Sequence, residues 1–269
     1  MSSSFSVLCS LYYKEKPQYL EECFKSLSWQ ELLADEIVVV HDGPLTNELY
    51  AVLKQWKNVL PIKEVILEKN VGLGNALNIG LNHCKHNLIV RVDTDDINHP
   101  ERFIEQVKYM DTKQDIVAAS SDVYEFNDDF QKPICVKRVP QQESIYKYSL
   151  YRNPFNHMAT IFRKDVILSV GGYKHLLFME DYYLWLRLQA EGYALGNINH
   201  PLVSARVGNG MIERRKGIKY VKSELFLMFN IYNLKLSRNP MVFFYFIVRS
   251  ITRILPANLL KLIYLKTLR

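Results

Sequence analysis

Three carboxylates that follow an apolar run are the residues of this sequence with the clearest chemical potential. The segment LIVRVDTDD places Asp93, Asp95 and Asp96 directly behind its apolar residues. Only two arginines lie close to them in sequence, so mutual repulsion would raise the pKa of these carboxyl groups unless a counter-ion binds. Mg²⁺ or Mn²⁺ would supply one, because such cations prefer oxygen ligands and keep positions for phosphates and water. The alternative without a metal is an Asx turn in which Asp96 caps the next helix.

A second acidic pair lies at Glu180 and Asp181, in the segment FMEDYYLWLRL. The apolar spacing of this segment predicts an amphipathic helix that begins at the two acids. The helix dipole favours negative charge in a first turn, which would explain both residues without any catalytic role. The residues alone therefore leave a structural and a functional interpretation open.

The carboxylates come at the end of an alternation of strand and helix patterns. Strands are predicted at residues 5–11, in ADEIVVVHDGP, in VLPIKEVILEKN and in NLIVRVD, and helices at residues 17–29, 46–57 and 72–84. This alternation predicts an α/β fold with a mainly parallel sheet flanked by helices. Ligands of such sheets bind beyond the carboxyl ends of the strands. The loops at that edge are residues 11–14, 42–43, 69–74 and 93–96, so the carboxylates lie where the fold would build a site.

The composition describes a globular chain of 269 residues, 48% of them apolar, enough for one domain with a large core or one domain with an appendage. The four cysteines have neither zinc-site nor disulfide-framework spacing, which favours a reducing cytosol. No signal-peptide pattern and no run of about 18 apolar residues occurs. We therefore expect a cytoplasmic protein that does not cross a membrane by itself.

Charge is segregated at the C-terminal end. Residues 213–269 carry twelve Lys or Arg and two Glu, a balance of +10, which leaves −4 on the other 212 residues of a chain with formal net charge +6. The same segment contains the apolar run MVFFYFIV, whose eight residues are too few to span a bilayer. These features predict a pair of helices on an anionic membrane surface. The alternative is that the helices pack on the rest of the protein or on another subunit.

Six ordered segments resemble the family-2 glycosyltransferases with the GT-A fold, particularly the bacterial enzymes that build surface polysaccharides. They are SVLCSLYYKEKPQYLEECFKSL, DEIVVVHDGP, NVGLGNALNIGL, RVDTDDINHPER, FNHMATIFRKDVILSVGGY and MEDYYLWLRLQAEG. The resemblance covers residues 5–210 and implies a Rossmann-like GT-A catalytic domain at 1–212. Its nucleotide-sugar half would lie at 1–100 and its acceptor half at 101–212, followed by the basic, amphipathic helical segment at 213–269.

The resemblance also implies an activity and a location. The expected reaction is the inverting transfer of a hexose from a nucleotide diphosphate sugar, UDP-glucose or UDP-galactose by family frequency, with Mn²⁺ or Mg²⁺ as cofactor. The expected acceptor is a lipid-linked saccharide in O-antigen, capsule or lipopolysaccharide synthesis. Such an acceptor stays at the inner face of the plasma membrane, where we expect a peripheral protein.

Roles for individual residues follow from the same resemblance. Asp181 is the expected general base, and Glu180 orients it or contacts the acceptor. Asp95 would hold the metal, and Asp93 would face the ribose and the sugar while adding to the metal site. Asp42 would accept a hydrogen bond from the nucleotide. The residues expected around the nucleotide sugar are Leu11, Tyr12, Asp42, Lys69, Asn70, Arg91, Asp93 and Gly172.

Other residues keep two interpretations each. His157 contacts the acceptor or the diphosphate, or makes a structural hydrogen bond. The glycines of LVSARVGNGMIERRKG predict a mobile loop, whose Arg206, Arg214 and Arg215 could close on phosphates. Many relatives place a metal-binding histidine just after this arginine, where the present chain has Val207. We therefore expect water to complete the coordination of the metal.

Three other functional classes fit parts of the sequence. A nucleic-acid-binding protein would explain the basic tail, but the acidic body and the lack of a recognised reading motif argue against it. A non-catalytic sugar-nucleotide-binding or scaffold protein would share the fold, and the presence of Asp93, Asp95 and Asp181 argues against that. A nucleotidyltransferase would also hold a metal with an acid pair after a strand. It would be expected to have a glycine-rich, basic N-terminal loop, and SLYYKEKP contains no glycine.

Overall fold

A computed structural model of the protein describes residues 2–208 and 217–254. The strands are β1 (Phe5–Leu11), β2 (Glu36–His41), β3 (Ile62–Ile66), β4 (Leu88–Arg91), β5 (Ile97–Asn98), β6 (Ile116–Phe126), β7 (Cys135–Lys137), β8 (Ile161–Arg163) and β9 (Ala194–Arg206). The α-helices are α1 (Pro17–Ser28), α2 (Asn47–Trp56), α3 (Leu73–His83), α4 (Arg102–Thr112), α5 (Ile145–Ser149), α6 (Lys164–Ser169), α7 (Glu180–Ala190), α8 (Ile218–Asn233) and α9 (Pro240–Thr252). The strand and helix order predicted ahead of the carboxylates is confirmed.

All described strands belong to one sheet with the order β3-β2-β1-β4-β8-β6-β9-β5, and β7 pairs with β6. The first half is parallel, since β1 pairs in parallel with β2 and β4, and β2 with β3. The second half is mixed, because β8 runs antiparallel to β4 and β6, whereas β9 runs parallel to β6. The parallel half aligns the strand ends that carry the predicted site.

Helical spacing of apolar residues fixes how the helices cover this sheet. In α1, which starts with Pro17, the buried apolar side chains recur at Leu20, Cys23, Phe24 and Leu27 and face the core. On the opposite face, α3 approaches the sheet so closely that a Cβ at Gly80 would lie 2.5 Å from Leu8 Cδ1. Two buried apolar clusters result, one on each face of the sheet. None of the four cysteines forms a disulfide within the described residues.

The helices α8 and α9 pack on α7 and form a third apolar cluster with it. Its members include Met179, Tyr182 and Leu186 from the α7 region, Leu227 and Ile231 from α8, and Val242 and Phe246 from α9. The described part of the C-terminal segment therefore shares a core with the residues before it. Of the helices in the two described stretches, none has both the length and the apolar content needed to cross a bilayer.

Candidate active site

The loops that carry the predicted site meet at one edge of the sheet. The parallel register pairs Leu11 of β1 with His41 of β2, so the two strands end side by side. The backbone N–H of Asp42 donates to the Leu11 carbonyl oxygen at 2.8 Å, and that of Val92 donates to the Leu8 carbonyl oxygen at 3.0 Å. The residues that follow β2 and β4 are thereby fixed beside the end of β1.

Asp93, Asp95 and Asp96 form a cluster of carboxylates directly after β4. One oxygen from each lies within 4.8 Å of the others. Asp96 is 3% exposed; its Oδ1 accepts from the Arg206 backbone N–H at 2.7 Å. Its Oδ2 is buried and has no hydrogen-bond partner among the residues that the structure describes. A buried carboxylate oxygen without a donor, beside two further carboxylates, fits a divalent cation with oxygen ligands.

The raised pKa values of this carboxylate cluster also support a cation site. Burial, together with the charges of Asp93 and Glu15, raises the pKa of Asp95 to about 7. Burial and the charges of Asp95 and Asp93 also raise the pKa of Asp96 well above its ordinary value. Glu15, in the loop after β1, accepts from Thr94 Oγ1 at 2.9 Å, and burial raises its pKa as well. The cluster by itself therefore retains protons at acidic pH, and a cation would displace them.

Two buried arginines fix the strand from which the carboxylates project. Arg91 Nη2 pairs with Asp93 Oδ1 at 2.5 Å. Its Nη1 and Nε have no hydrogen-bond partner within the described residues. Arg102 donates from Nη2 to the carbonyl oxygens of Arg91 and Met158, at 2.7 and 2.9 Å. Arg102 therefore supports the backbone, whereas Arg91 retains donors for a ligand.

Arg206, at the end of β9, holds the carboxylate loop from the other side. Its Nε donates to the Asp95 carbonyl oxygen at 3.1 Å, and its Nη2 pairs with Glu22 Oε2 at 2.5 Å. These contacts already occupy the Arg206 guanidinium, which the sequence suggested as a group that could bind phosphates. Arg214 and Arg215, suggested for the same purpose, lie outside the described residues.

Asp42 organises the loop after β3. Its Oδ1 accepts from the Val71 backbone N–H at 2.6 Å, and its Oδ2 accepts from the Gly72 N–H at 3.1 Å and from Asn70 Nδ2 at 2.9 Å. The side chain is 4% exposed, so its first role in this structure is to shape the 70–72 loop. This differs from the direct nucleotide contact that the resemblance implied, since the loop itself supplies the donors for the carboxylate.

Of the other residues expected around the nucleotide sugar, some are exposed and one is buried. Tyr12, Lys69 and Asn70 are exposed at the sheet edge, where a ligand can reach them. Leu11 is 0% exposed and belongs to the core cluster on the α1 face. The Leu11 side chain, predicted to lie around the nucleotide sugar, is instead directed into the core by β1.

Gly172 also departs from its expected role. A Cβ at this position would lie 2.4 Å from Asn78 Oδ1, and the backbone has φ +61°. Asn78 is held in this position because its side chain donates to the Tyr173 carbonyl oxygen and accepts from the Tyr173 N–H, both at 2.7 Å. The glycine is required by packing of its turn on α3, and the structure does not place it at a donor-sugar surface.

Asp181 lies in the first turn of α7, at the wall of a cleft. Its Oδ2 accepts from Asn153 Nδ2 at 2.7 Å, which fixes the orientation of the carboxylate. Burial raises the pKa of Asp181, while the hydrogen bond from Asn153 opposes that shift. Burial likewise raises the pKa of the neighbouring Glu180. A carboxylate that is partly desolvated and held in one orientation is suited to accept a proton.

His157 lines the same cleft and makes the structural hydrogen bond that was one of its two interpretations. Its Nε2 lies 2.9 Å from the Tyr173 hydroxyl. Burial and the charge of Arg91 lower the pKa of His157 well below its ordinary value, so the imidazole is neutral at pH 7. A neutral histidine beside a tyrosine hydroxyl can position a sugar hydroxyl without competing with Asp181 for a proton.

The cleft has a volume of about 800 Å³ and is large enough for a saccharide with a charged group attached. Asp181 and Glu180 contribute acidic groups to its wall, and Tyr220 of α8 and Tyr245 of α9 contribute aromatic ones. The helices at the C-terminal end therefore help to form the cleft in addition to packing on α7.

Comparison with known proteins identifies the chain. The model of the family described as "Glycosyl transferase family 2" matches residues 8–172, which contain the sheet edge, the carboxylate cluster and the turn before α7. The protein belongs to glycosyl transferase family 2. The GT-A fold expected from the sequence is confirmed with it.

Named relatives of this family-2 glycosyltransferase align over nearly its whole length. The amylovoran biosynthesis glycosyltransferase AmsE of Erwinia amylovora is 45% identical over 97% of this chain and 98% of its own. The UDP-Gal:alpha-D-GlcNAc-diphosphoundecaprenol beta-1,3-galactosyltransferase of Escherichia coli is 40% identical over 98% and 96%. The mannosyltransferase PcManGT of Pyrobaculum calidifontis, solved with GDP-Man and Mn²⁺, has the same fold, with a TM-score of 0.63, 16% identity, and coverage of 98% and 81%.

Sequence reasoning missed several residues that the fold of this glycosyltransferase brings to the site. Glu15 and Asn153 belong to loops, and nothing in their sequence surroundings marks them. The unpartnered oxygen of Asp96 was also missed, although its place in DTDD was the available signal. The arginines Arg249 and Arg253 reach the cleft from the C-terminal segment, for which the sequence predicted membrane binding or packing but no part in the site.

Proposed function

We propose that the protein is a metal-dependent, inverting hexosyltransferase that uses a UDP-sugar and a saccharide carried on a polyprenyl diphosphate. The observation that carries this proposal is the combination of an oxygen cluster suited to a cation and an oriented, partly desolvated Asp181 in a cleft, with Arg91 paired to Asp93 and its charge also acting on Asp181. The carboxylate cluster is suited to a cation on the leaving diphosphate, and Asp181 is suited to the attacking hydroxyl. An inverting displacement needs both, on opposite sides of the reacting carbon.

Residues of this chain account for the transfer of the acceptor's proton and for the orientation of the reacting groups. Asp95 and Asp93 would hold the cation, with Asp96 as a further oxygen ligand. A bound Mn²⁺ or Mg²⁺ would supply positive charge to the diphosphate leaving group. Asp181 accepts the proton of the acceptor hydroxyl as its oxygen bonds to the anomeric carbon and the bond from that carbon to the diphosphate oxygen breaks. Asn153 keeps the carboxylate aimed at the acceptor.

The choice of substrates rests on the relatives. The Escherichia coli relative is named for a UDP-galactose donor and a diphosphoundecaprenol-linked acceptor, and it aligns over 98% of this chain. A hexose from UDP and an acceptor of the same chemical class are therefore the substrates we assign. The runner-up, a non-catalytic sugar-nucleotide-binding protein, would not need a base held by Asn153.

A lipid-linked acceptor also suggests a position at the inner face of the plasma membrane. Large apolar side chains are exposed on both C-terminal helices, including Phe226 and Phe229 of α8 and Phe244 and Ile251 of α9. Exposed lysines, among them Lys219 and Lys222, lie on α8 beside them. Apolar and basic side chains exposed together are suited to an anionic lipid surface.

A donor and acceptor screen tests the proposal. The wild-type protein is incubated with UDP-hexoses and with GlcNAc linked through a diphosphate to a short lipid, and sugar transfer is followed by mass spectrometry. We expect a product one hexose heavier than the acceptor with at least one UDP-sugar, and no product in excess chelator. Binding of UDP-sugars without any transfer across the panel would favour the non-catalytic alternative.

A further inference from the structure

We propose that the cleft beside Asp181 contains a cationic site for the diphosphate of the lipid-linked acceptor, built around Arg253 and Arg249 at the end of α9. This inference rests on the proposed function. It adds a recognition site for the acceptor that is separate from the carboxylate cluster assigned to the donor.

The two arginines share one carboxylate. Glu224 of α8 is 0% exposed, and its Oε1 lies 2.8 Å from Arg249 Nη2 and 3.2 Å from Arg253 Nε. Arg249 is engaged further, because its Nη1 donates to the Tyr151 carbonyl oxygen at 2.8 Å. One buried negative charge therefore faces two positive charges. The remaining positive charge is costly to bury unless an anion balances it.

Arg253 carries the available donor. The residue is 5% exposed and lines the cleft, and its Nη1 has no hydrogen-bond partner within residues 2–208 and 217–254. Its guanidinium carbon lies 4.8 Å from the centre of the Tyr220 ring, which fixes the plane of the group. A fixed, buried guanidinium with an unused N–H is suited to a phosphate oxygen.

Further cations line the same cleft. Lys137 and Arg138 come from β7 and the residue after it, and Arg152 comes from the loop after α5. With the two arginines of α9, five cationic side chains line the cleft, and the acidic ones in its lining are Glu125, Glu180 and Asp181. Since the last two lie together in the first turn of α7, the diphosphate would lie toward α9 and the acceptor sugar toward Asp181.

The position of the cleft favours the acceptor's diphosphate over that of the donor. None of the three clustered carboxylates lines the cleft, so a donor diphosphate held by their cation would lie elsewhere. A smaller cavity of about 310 Å³ shares Tyr148, Arg152 and Tyr245 with the cleft. Its tyrosine-rich lining is suited to the first isoprene units of a lipid. Tyr245 of this cavity belongs to α9, whose exposed apolar side chains include Phe244 and Ile251.

Binding of farnesyl diphosphate in excess chelator tests the site directly. Without a cation the carboxylate cluster repels a diphosphate, so binding measured by calorimetry reports on the cationic cleft. We expect the wild type to bind farnesyl diphosphate and not farnesol, and Arg253→Gln to lose about tenfold or more in affinity, as for a charged hydrogen bond. Arg238→Gln removes an exposed cation between α8 and α9 and should bind as the wild type does.

Arg138→Gln is a second test variant, needed because Arg253→Gln changes a buried residue and could misfold. Arg138 is exposed, and its replacement leaves the apolar cores intact. We expect it to weaken binding by about threefold or more, as for a partly exposed ion pair. Wild-type affinity in both variants, or equal binding of farnesol and farnesyl diphosphate, would overturn the proposal.

A kinetic comparison separates this proposal from the proposed function. The acceptors are GlcNAc on a lipid diphosphate and GlcNAc on a neutral phenyl group. Arg253→Gln should raise the KM for the diphosphate acceptor and leave the KM for the UDP-sugar and the kcat/KM for the neutral acceptor unchanged. Equal losses on both acceptors would contradict the site. Absence of transfer by the wild type would contradict the proposed function alone, because the farnesyl diphosphate measurement still decides the site.

Discussion

At the scale of single residues, the proposed mechanism depends first on Asp95 as a ligand of a divalent cation. We expect Mn²⁺ to raise the melting temperature of the wild type, and Asp95→Asn to abolish both this rise and sugar transfer. Because burial and neighbouring charges raise the pKa of Asp95 to about 7, its ionised form costs free energy of folding at neutral pH without a cation. The amide removes that cost, so the metal-free variant should melt above the metal-free wild type.

Thermal scans with and without Mn²⁺ make both measurements on the same samples. Asp111→Asn is a suitable control, since Asp111 is an exposed carboxylate outside the cluster that bonds to Ser3. It should leave transfer and the response to Mn²⁺ unchanged. A full Mn²⁺ response in the Asp95 variant would contradict the assignment of this ligand.

The second prediction at this scale concerns Asp181 as the base. Asp181→Asn keeps the shape of the side chain and removes its basicity, so kcat should fall by roughly 10² to 10⁴ with little change in donor affinity. In the wild type, the base acts only when ionised, so the rate should fall as pH decreases through its pKa. Burial raises that pKa. The acid limb of the pH profile should therefore lie above the ordinary aspartate value of about 3.9.

Stopped assays over a pH series, together with calorimetry for UDP, provide the two readouts. The residual activity of the variant should lack the acid limb. If UDP binding disappeared while the kcat of bound donor persisted, Asp181 would belong to the nucleotide site.

Several of these residues were predictable from sequence and others were not. Asp93, Asp95 and Asp181 lie in quoted motifs, and the structure places the first two together and the third at the cleft wall. Leu11 could not be assigned correctly, because the direction of a side chain at a strand end depends on which face the core covers. Asn153 carries no local signal, since its contact with Asp181 spans 28 positions of the chain.

At the scale of elements, the loops after β2 and β3 contact each other at the sheet edge where we propose that the nucleotide binds. Gly43 has φ +86°, and a Cβ there would lie 2.7 Å from the Asn70 backbone nitrogen. We expect Gly43→Ala to displace the loop that Asp42 holds, lowering stability and raising the KM for the UDP-sugar. Gly192→Ala is the matched control, because Gly192 has φ +82° with no atom within 4 Å of its Cβ position.

Chemical denaturation and donor kinetics measure the two variants side by side. The control should lose only the conformational cost of a left-handed non-glycine residue, about 1–2 kcal/mol, with no change in KM. The Gly43 variant should lose more and show the KM effect. Equal behaviour of both variants would mean that the loop contact does not affect donor binding.

The elements themselves were predictable to different degrees. β1, β2 and β4 are buried apolar runs with turn residues after them, so their type and order follow from pattern. β7 and β8 have three residues each, too short for a period of two to be recognised. Their antiparallel pairing depends on contacts distant in sequence, which a single sequence does not contain.

At the scale of the whole molecule, the C-terminal helices both complete the cleft and expose apolar side chains. The prediction is that they bind anionic membranes through residues such as Phe229 and Phe244, which are 58% and 60% exposed. Replacing both by Ser should weaken binding to anionic vesicles by about a hundredfold or more, since each buried aromatic contributes about 1.5–3 kcal/mol. Added salt should weaken binding of the wild type further by screening the lysines of α8.

Vesicle sedimentation compares this double variant with Trp29→Ser, which removes an exposed aromatic residue at the end of α1. The control should bind as the wild type does. Substitution is preferable to truncation before α8, because removing α8 and α9 would uncover Met179, Tyr182 and Leu186. Unchanged vesicle binding by the double variant would indicate that these side chains face another protein.

The stereochemistry of the product tests the central claim most directly. With an α-linked UDP-hexose as donor and the lipid-diphosphate GlcNAc acceptor, proton NMR of the product reports the anomeric configuration of the new glycosidic bond. A single displacement assisted by Asp181 predicts a β-linked hexose with its large coupling between H1 and H2 for a gluco- or galacto-configured sugar. An α-linked product would contradict the proposed mechanism.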